Sequence, residues 1–309
     1  MTDSPSPGPP ATPSWSQLPT EARHPASSVL DTLPTGEIVA LLIEEDRRGL
    51  ERTLERAADI ARAAEWLAET LAGDGSTVLA GAGTSGRLGI VEAAECPPTF
   101  GTDPQRVRAV IAGGRDAVFA AREGAEDRGD EGRAVAGDLG AGDLMIGLSA
   151  SSVTPFTRGA LEAARERGAR TVLLTCAAAD GLEDTADLVI ALDTGPEILT
   201  GSTRLKAGSA TKAALNAITT AAMVRAGKVF ENLMVDLRPG SAKLRDRAVR
   251  ILRAASGLSG DAARTRLDEA AGELKTAIVM SRRGVDAEQA RELLRTAGGH
   301  VRAALKAKP

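Results

Sequence analysis

"LAGAGTSGRLGIVEAAECPPTFG", residues 79–101, decides the fold. An apolar run ends in glycines, a helix-like stretch follows over 85–95, and a double proline stops it. Read with the residues before it, the unit is a buried strand, a tight turn and a helix. That unit is the building block of a doubly wound sheet. Four further apolar runs follow: "VRAVIAGG", "DLMIGLSA", "RTVLLTC" and "ADLVIALD". The stretches "RDAVFAAREGAEDRGDEGRAVAGDL" and "TPFTRGALEAARERG" between them read as helical. Strand and helix in regular alternation predict an α/β fold, a doubly wound parallel five-stranded sheet covered on both faces.

Two helices precede the sheet between Thr35 and Ala72, where apolar residues recur at helical spacing. "STRLKAGSATKAALNAITTAAMVRAGKVFENLM" reads as one long helix or two joined. Beyond Pro239 the pattern is helical only. The expected organisation is a disordered Pro- and Ser-rich tail over 1–19, the sheet domain with its N-terminal helices over 20–238, and a small C-terminal helical domain over 239–309.

Only 2% of the 309 residues are aromatic, so the core must be built from Ala, Leu, Val and Ile. The net charge is −4 with no basic run, which argues against a nucleic-acid partner. No apolar run is long enough to span a membrane and the N-terminus lacks a signal pattern, so a cytoplasmic protein is expected. Cys96 and Cys176 lack CxxC spacing, which gives no reason for a metal site; Cys176 ends an apolar run and reads as a buried thiol. With only His24 and His300 present, acid–base chemistry must rest on carboxylates, lysines or hydroxyls.

The first glycine turn, "GAGTSGR", offers Gly83, Thr84, Ser85 and Gly86 at a helix start. Free N–H groups and the helix dipole there attract anions, phosphate above all. Gly81, Gly83 and Gly86 formally match GxGxxG, but no acidic residue ends the next strand to hold a ribose, and no GK[ST] follows. A second turn of the same kind is "GLSASSVTPF", with Ser149, Ser151, Ser152 and Thr154 before a helix opening on Pro155. Ser and Thr are also ordinary helix caps. Two hydroxyl-rich turns in one sheet favour a single phosphate held from both sides.

These segments resemble the sugar isomerase (SIS) fold, a phosphosugar-binding domain. "TEARHPASSVLDTL", "GTSGRLG" with "ECPPT", "EGAED", "GPEILTGSTRLKAG" and "KVFENLMVDL" resemble, more closely, the N-acetylmuramic acid 6-phosphate etherase family and its glucokinase-regulator relatives, over roughly residues 20–306. The resemblance implies a homodimeric lyase that uses no metal or nucleotide. Such a lyase would split its phosphosugar into N-acetylglucosamine 6-phosphate and D-lactate by elimination and hydration. It implies that Glu95 is the acid and Glu126 the second catalytic glutamate, with Glu123 as a rival one helical turn earlier.

Two carboxylates suit this chemistry, because an alpha proton needs a base and a departing alkoxide needs an acid. Pro97 is expected to end the helix near Glu95, where the negative carbonyl end would favour a protonated acid. Glu95 then lies about 15 Å beyond Ser85 at ~1.5 Å per residue, too far for one sugar, so it is expected to serve a site shared with a second subunit. In "GPEILTGSTRLKAG", Ser202 is expected to cap the long helix, while Glu197, Arg204 and Lys206 either face the sugar phosphate or form an ordinary helix start.

Two positions depart from the family's second turn, Ala-Ser-Gly-Arg-Thr-Pro: Ser152 stands at its glycine and Val153 at its arginine. A serine there is expected to be strained if the turn requires positive φ. His24 stands at an asparagine of the family's N-terminal pattern. Two further readings of the same residues are a non-catalytic phosphosugar-sensing regulator and an aldose–ketose phosphosugar isomerase.

Overall fold

The computed structural model describes residues 18–237 and 242–307. The boundary expected at 238/239 and most of the N-terminal tail lie outside the described residues. All five expected strands are present: β1 (Thr77–Gly81), β2 (Val107–Ile111), β3 (Leu144–Ser149), β4 (Arg170–Thr175) and β5 (Leu188–Ala191). They form one parallel sheet in the order β2-β1-β3-β4-β5. Strand alternation sends side chains to two cores. Leu79, Ile146, Leu148 and Leu174 meet α2 (Ala57–Ala72), α3 (Gly83–Phe100) and α7 (Lys206–Arg225) on one face. Val78, Ala80, Met145 and Leu173 meet α6 (Pro155–Glu166) on the other.

Helix α1 (Thr35–Glu55) packs against α7, which also contacts α2 and α3. α7 can be surrounded because its buried positions include Ala207, Ala210, Ala214 and Ala222. Small side chains let neighbouring backbones approach. Gly49 of α1 shows how closely: a Cβ there would lie 2.8 Å from Lys206 Cγ.

Three local expectations are corrected. Helix α3 does not stop near Glu95 but runs through Pro97 and Pro98 to Phe100, ending on Gly101 with φ 64°. Interior prolines cost about 3 kcal/mol or more. Buried Cys96 and Phe100 pack this turn onto the core, and Gly101 N–H donates to Pro97 C=O at 2.9 Å. The stretch 115–139 is not one helix: only α4 (Asp116–Phe119) and α5 (Gly129–Val135) form, and Gly124 takes φ 70° between them. α7 stops before Gly227, φ 72°, and "KVFENLM" becomes an antiparallel hairpin, β6 (Val229–Phe230) with β7 (Leu233–Met234).

The C-terminal region holds α8 (Ala242–Ser256), α9 (Gly260–Glu269), α10 (Leu274–Arg283), α11 (Ala287–Thr296) and α12 (Val301–Lys306). They share a core of their own with Phe230, Val235 and Leu237. Both cysteines are buried free thiols; burial pushes Cys96 up to about 12 and Cys176 up to about 11. Among the described residues no helix is long and apolar enough to cross a membrane.

Candidate functional site

β1 and β3 are neighbours although β2 separates them in the chain, so the winding direction of the sheet reverses between them. Ligands bind doubly wound sheets at such reversals, beyond the carboxyl ends of the strands. Both hydroxyl turns sit there, since Gly81 of β1 pairs in register with Leu148 of β3. The first turn leads into α3 through Ala82, which has no side chain to cap the helix. Gly83 takes φ 51°, which its missing Cβ permits. The second turn leads into α6 through Thr154, whose side chain also makes no cap. Its hydroxyl instead meets Ser149 Oγ at 2.9 Å. Among the described residues, the hydroxyls of Thr84, Ser85 and Ser151 make no hydrogen bond to protein. The hydroxyls of these turns therefore do not serve as side-chain caps, and those three are free for a ligand.

The two turns open into one cleft of about 270 Å³. Gly83, Thr84, Ser85, Ser149, Ser151 and Thr154 line it, together with Glu126 and Asp127. Glu126 sits on the loop between α4 and α5, not on a charged helix face. That loop is tied to the second turn by Phe156 N–H, which donates to Glu126 C=O at 3.0 Å. Its rival Glu123 lines an adjacent hollow with Arg87 and Arg122, which Glu126 also borders.

Several expected site residues lie away from this cleft. Gly86 is a packing glycine: a Cβ there would sit 2.6 Å from both Gly81 O and Ile111 Cγ1. Ser152 is buried, takes φ 66°, and turns its hydroxyl back to Ser151 C=O. The positive φ feared for a serine at this position is therefore real. Glu95 lies on an exposed face of α3, and the helix carbonyl end is five residues further on, at Phe100.

Ser202 does not cap α7. Glu197 does, accepting from Lys206 N–H at 3.1 Å and Ala207 N–H at 2.8 Å. Burial raises the Glu197 carboxyl above its ordinary value, against these two hydrogen bonds and the Lys206 charge. The Lys206 side chain is buried and turned to α1, with Nζ 2.7 Å from Glu45 Oε2 and 2.8 Å from Pro196 O. Arg204 is exposed.

Glu45 collects further partners: His24 Nε2 at 3.2 Å and Arg48 at 2.8 Å. His24 Nδ1 accepts from Ala26 N–H, so Nε2 carries the proton that faces Glu45. Burial pushes the Glu45 carboxyl up, but the Lys206 hydrogen bond and the surrounding cations outweigh it and hold the group below its ordinary value.

The sequence reading missed Leu18, Thr20, Glu21, Gly201 and Thr203, which complete the cleft. The signal was present in "TEARHP", but nothing local marks a 3-10 turn as the wall of a distant site.

Two domain models match the chain: the glucokinase regulatory protein N-terminal SIS domain over residues 59–165 and the SIS domain over 125–221. Among curated relatives, N-acetylmuramic acid 6-phosphate etherase of Rubrobacter xylanophilus is 48% identical over 94% of this chain and 96% of its own length. The etherase of Cutibacterium acnes is 48% identical over 93% of this chain and 95% of its own. That of Parasynechococcus marenigrum is 46% identical over 93% and 92%. Similarity at this level, running nearly end to end through both hydroxyl turns and the C-terminal helices, means that the chain belongs to the N-acetylmuramic acid 6-phosphate etherase family.

Proposed function

We propose that this protein is a carbon–oxygen lyase that cleaves the D-lactyl ether of N-acetylmuramic acid 6-phosphate, releasing N-acetylglucosamine 6-phosphate and D-lactate. The observation that carries this reading is the cleft itself. Free hydroxyls from two helix-start turns converge beside a carboxylate, Glu126, in a chain whose full-length relatives are etherases. The turns hold the phosphate through hydroxyls and free N–H groups. Glu126, on the cleft wall, takes the proton alpha to the aldehyde of the open-chain sugar. Loss of that proton expels the lactate oxygen, which an acid must protonate, and leaves an unsaturated aldehyde. Water then adds to it, its hydroxyl replacing the lactyl oxygen and a proton returning to the alpha carbon.

Glu95 supplies that acid across a homodimer. It is exposed and about 15 Å along α3 from Ser85, at ~1.5 Å per residue. Val91, one turn before it, is 46% exposed, and Val39, Ile43, Leu50 and Leu54 form an exposed apolar stripe on α1. Such unpartnered apolar surface fits a subunit interface.

The test is D-lactate release from N-acetylmuramic acid 6-phosphate by the purified protein beside Glu95→Ala and Glu126→Gln. Release by the wild type alone supports the reading. Tight sugar-phosphate binding without release points instead to the regulator, the function suggested by the SIS match over residues 59–165. Mixed dimers of Glu95→Ala with a Ser85-damaged chain test the shared site: restored activity supports it, and none counts against it.

A further inference from the structure

One wall of the cleft comes from outside the sheet. Residues Pro19–Glu21 form a single 3-10 turn, with Glu21 N–H donating to Leu18 C=O at 2.9 Å. Thr20 C=O accepts from Gly201 N–H at 3.2 Å, which joins this strap to the loop before α7. Three residues on, buried His24 meets Glu45, and Glu45 meets Lys206. The strap is thus held at both ends by buried or backbone contacts.

Its two central residues are chemically unfinished. Thr20 is 1% exposed, yet its Oγ1 has no hydrogen-bond partner. Unsatisfied buried polar atoms are costly and call for an explanation. Glu21 lines the cleft, and its carboxylate makes no hydrogen bond or ion pair among the described residues. Gly201 leaves room for it: a Cβ there would come 3.1 Å from Glu21 Oε2.

A carboxylate repels a phosphate, so Glu21 cannot belong to the anion-holding end of the cleft. It suits the uncharged, donor-bearing part of the ligand. We propose that Glu21 is a sugar-recognition residue, its carboxylate accepting hydrogen bonds from the ligand's sugar hydroxyls. This rests on the phosphosugar reading of the cleft and extends it from the phosphate to the ring substituents.

The experiment is calorimetric titration of the wild type, Glu21→Ala and Ser151→Ala with N-acetylglucosamine 6-phosphate and, separately, inorganic phosphate. The expected result for Glu21→Ala is at least a tenfold weaker sugar phosphate with the phosphate affinity unchanged, while Ser151→Ala weakens both. Glu21 is exposed and unbonded, so its thermal unfolding should match the wild type. A Glu21→Ala protein that binds the sugar phosphate as the wild type does, or that weakens both ligands equally, overturns the proposal and leaves the phosphosugar reading standing. A wild type that binds neither ligand overturns both.

Discussion

Lys206 Nζ lies 2.7 Å from Glu45 Oε2, and the two side chains are 5% and 4% exposed. The pair joins the first turn of α7 to the middle of α1 across 161 residues of sequence. Breaking one side of a buried ion pair leaves the other charge uncompensated, at about 3–5 kcal/mol. Lys206→Met should therefore destabilise the protein by about 3 kcal/mol, less than the full penalty because His24 and Arg48 remain on Glu45. Urea unfolding measures this, and a loss below about 1 kcal/mol would show that the pair is a marginal contact.

The same carboxylate sets a pH dependence. Glu45 is held below its ordinary value in the folded chain. Its contribution is fully present above the unfolded value of about 4.3 and is lost as pH falls through the depressed folded value. The stability gap between wild type and Glu45→Gln should be widest above about pH 5 and shrink towards pH 3. A gap that stays constant across that range would refute the assignment. Glu197 acts in the opposite sense. Its raised carboxyl favours the folded state at low pH, and that advantage fades as pH rises through the folded value.

Glu197→Ala removes a carboxylate that accepts from two backbone N–H groups at the start of α7. Bonds to a charged acceptor contribute about 1.5–3 kcal/mol each, and partial replacement by water or Ser202 lowers the sum. A net loss of about 2 kcal/mol is expected from denaturant unfolding, with hydrogen exchange accelerating first at Lys206 and Ala207.

Ser152→Gly should stabilise. At φ 66° a serine carries left-handed strain of about 1 kcal/mol that glycine lacks. The bond from Ser152 Oγ to Ser151 C=O is lost in exchange. A rise in melting temperature of about 2 °C is expected for a chain of this size. If the midpoint falls, the hydroxyl contact outweighs the strain.

Gly86→Ala should damage the site through packing. The new methyl would meet Gly81 C=O and Ile111 at 2.6 Å, and backbone cannot step aside as a side chain can. A cost of about 1–3 kcal/mol is expected. Sugar-phosphate affinity should fall with it, because the displaced backbone carries Thr84 and Ser85. Unaltered stability would show that the turn yields without strain.

The sheet was readable because each strand is a short apolar run closed by small or turn-forming residues, a signal that local sequence carries in full. The winding reversal followed from the alternation of elements. What escaped was settled through space. Pro97 and Pro98 argue locally against helix, but burial of Cys96 and Phe100 outweighs them. The stretch around Glu126 is rich in Ala, Glu and Arg and reads as helix, yet Gly124 at φ 70° and the bond from Phe156 to Glu126 hold it as a loop. Glu197 was singled out as a possible sugar contact because nothing in its neighbourhood shows that it reaches nine residues forward to cap α7. That Thr84, Ser85, Ser149, Ser151 and Thr154 would meet at one end of the sheet was legible because all five fall in strand-to-helix turns. The place of Thr20 and Glu21 on the same cleft was not, since it depends on where the chain returns to meet them.

That return has a consequence for how the protein is made. The strap is synthesised long before its holdfasts, Gly201 and Lys206. The two hydroxyl turns are complete by Thr154, so a nascent chain can present both of them long before the cleft has all its walls. The strap must wait for a later part of the sheet domain before it can take its place, so the wall it forms is among the last parts of the cleft to be built.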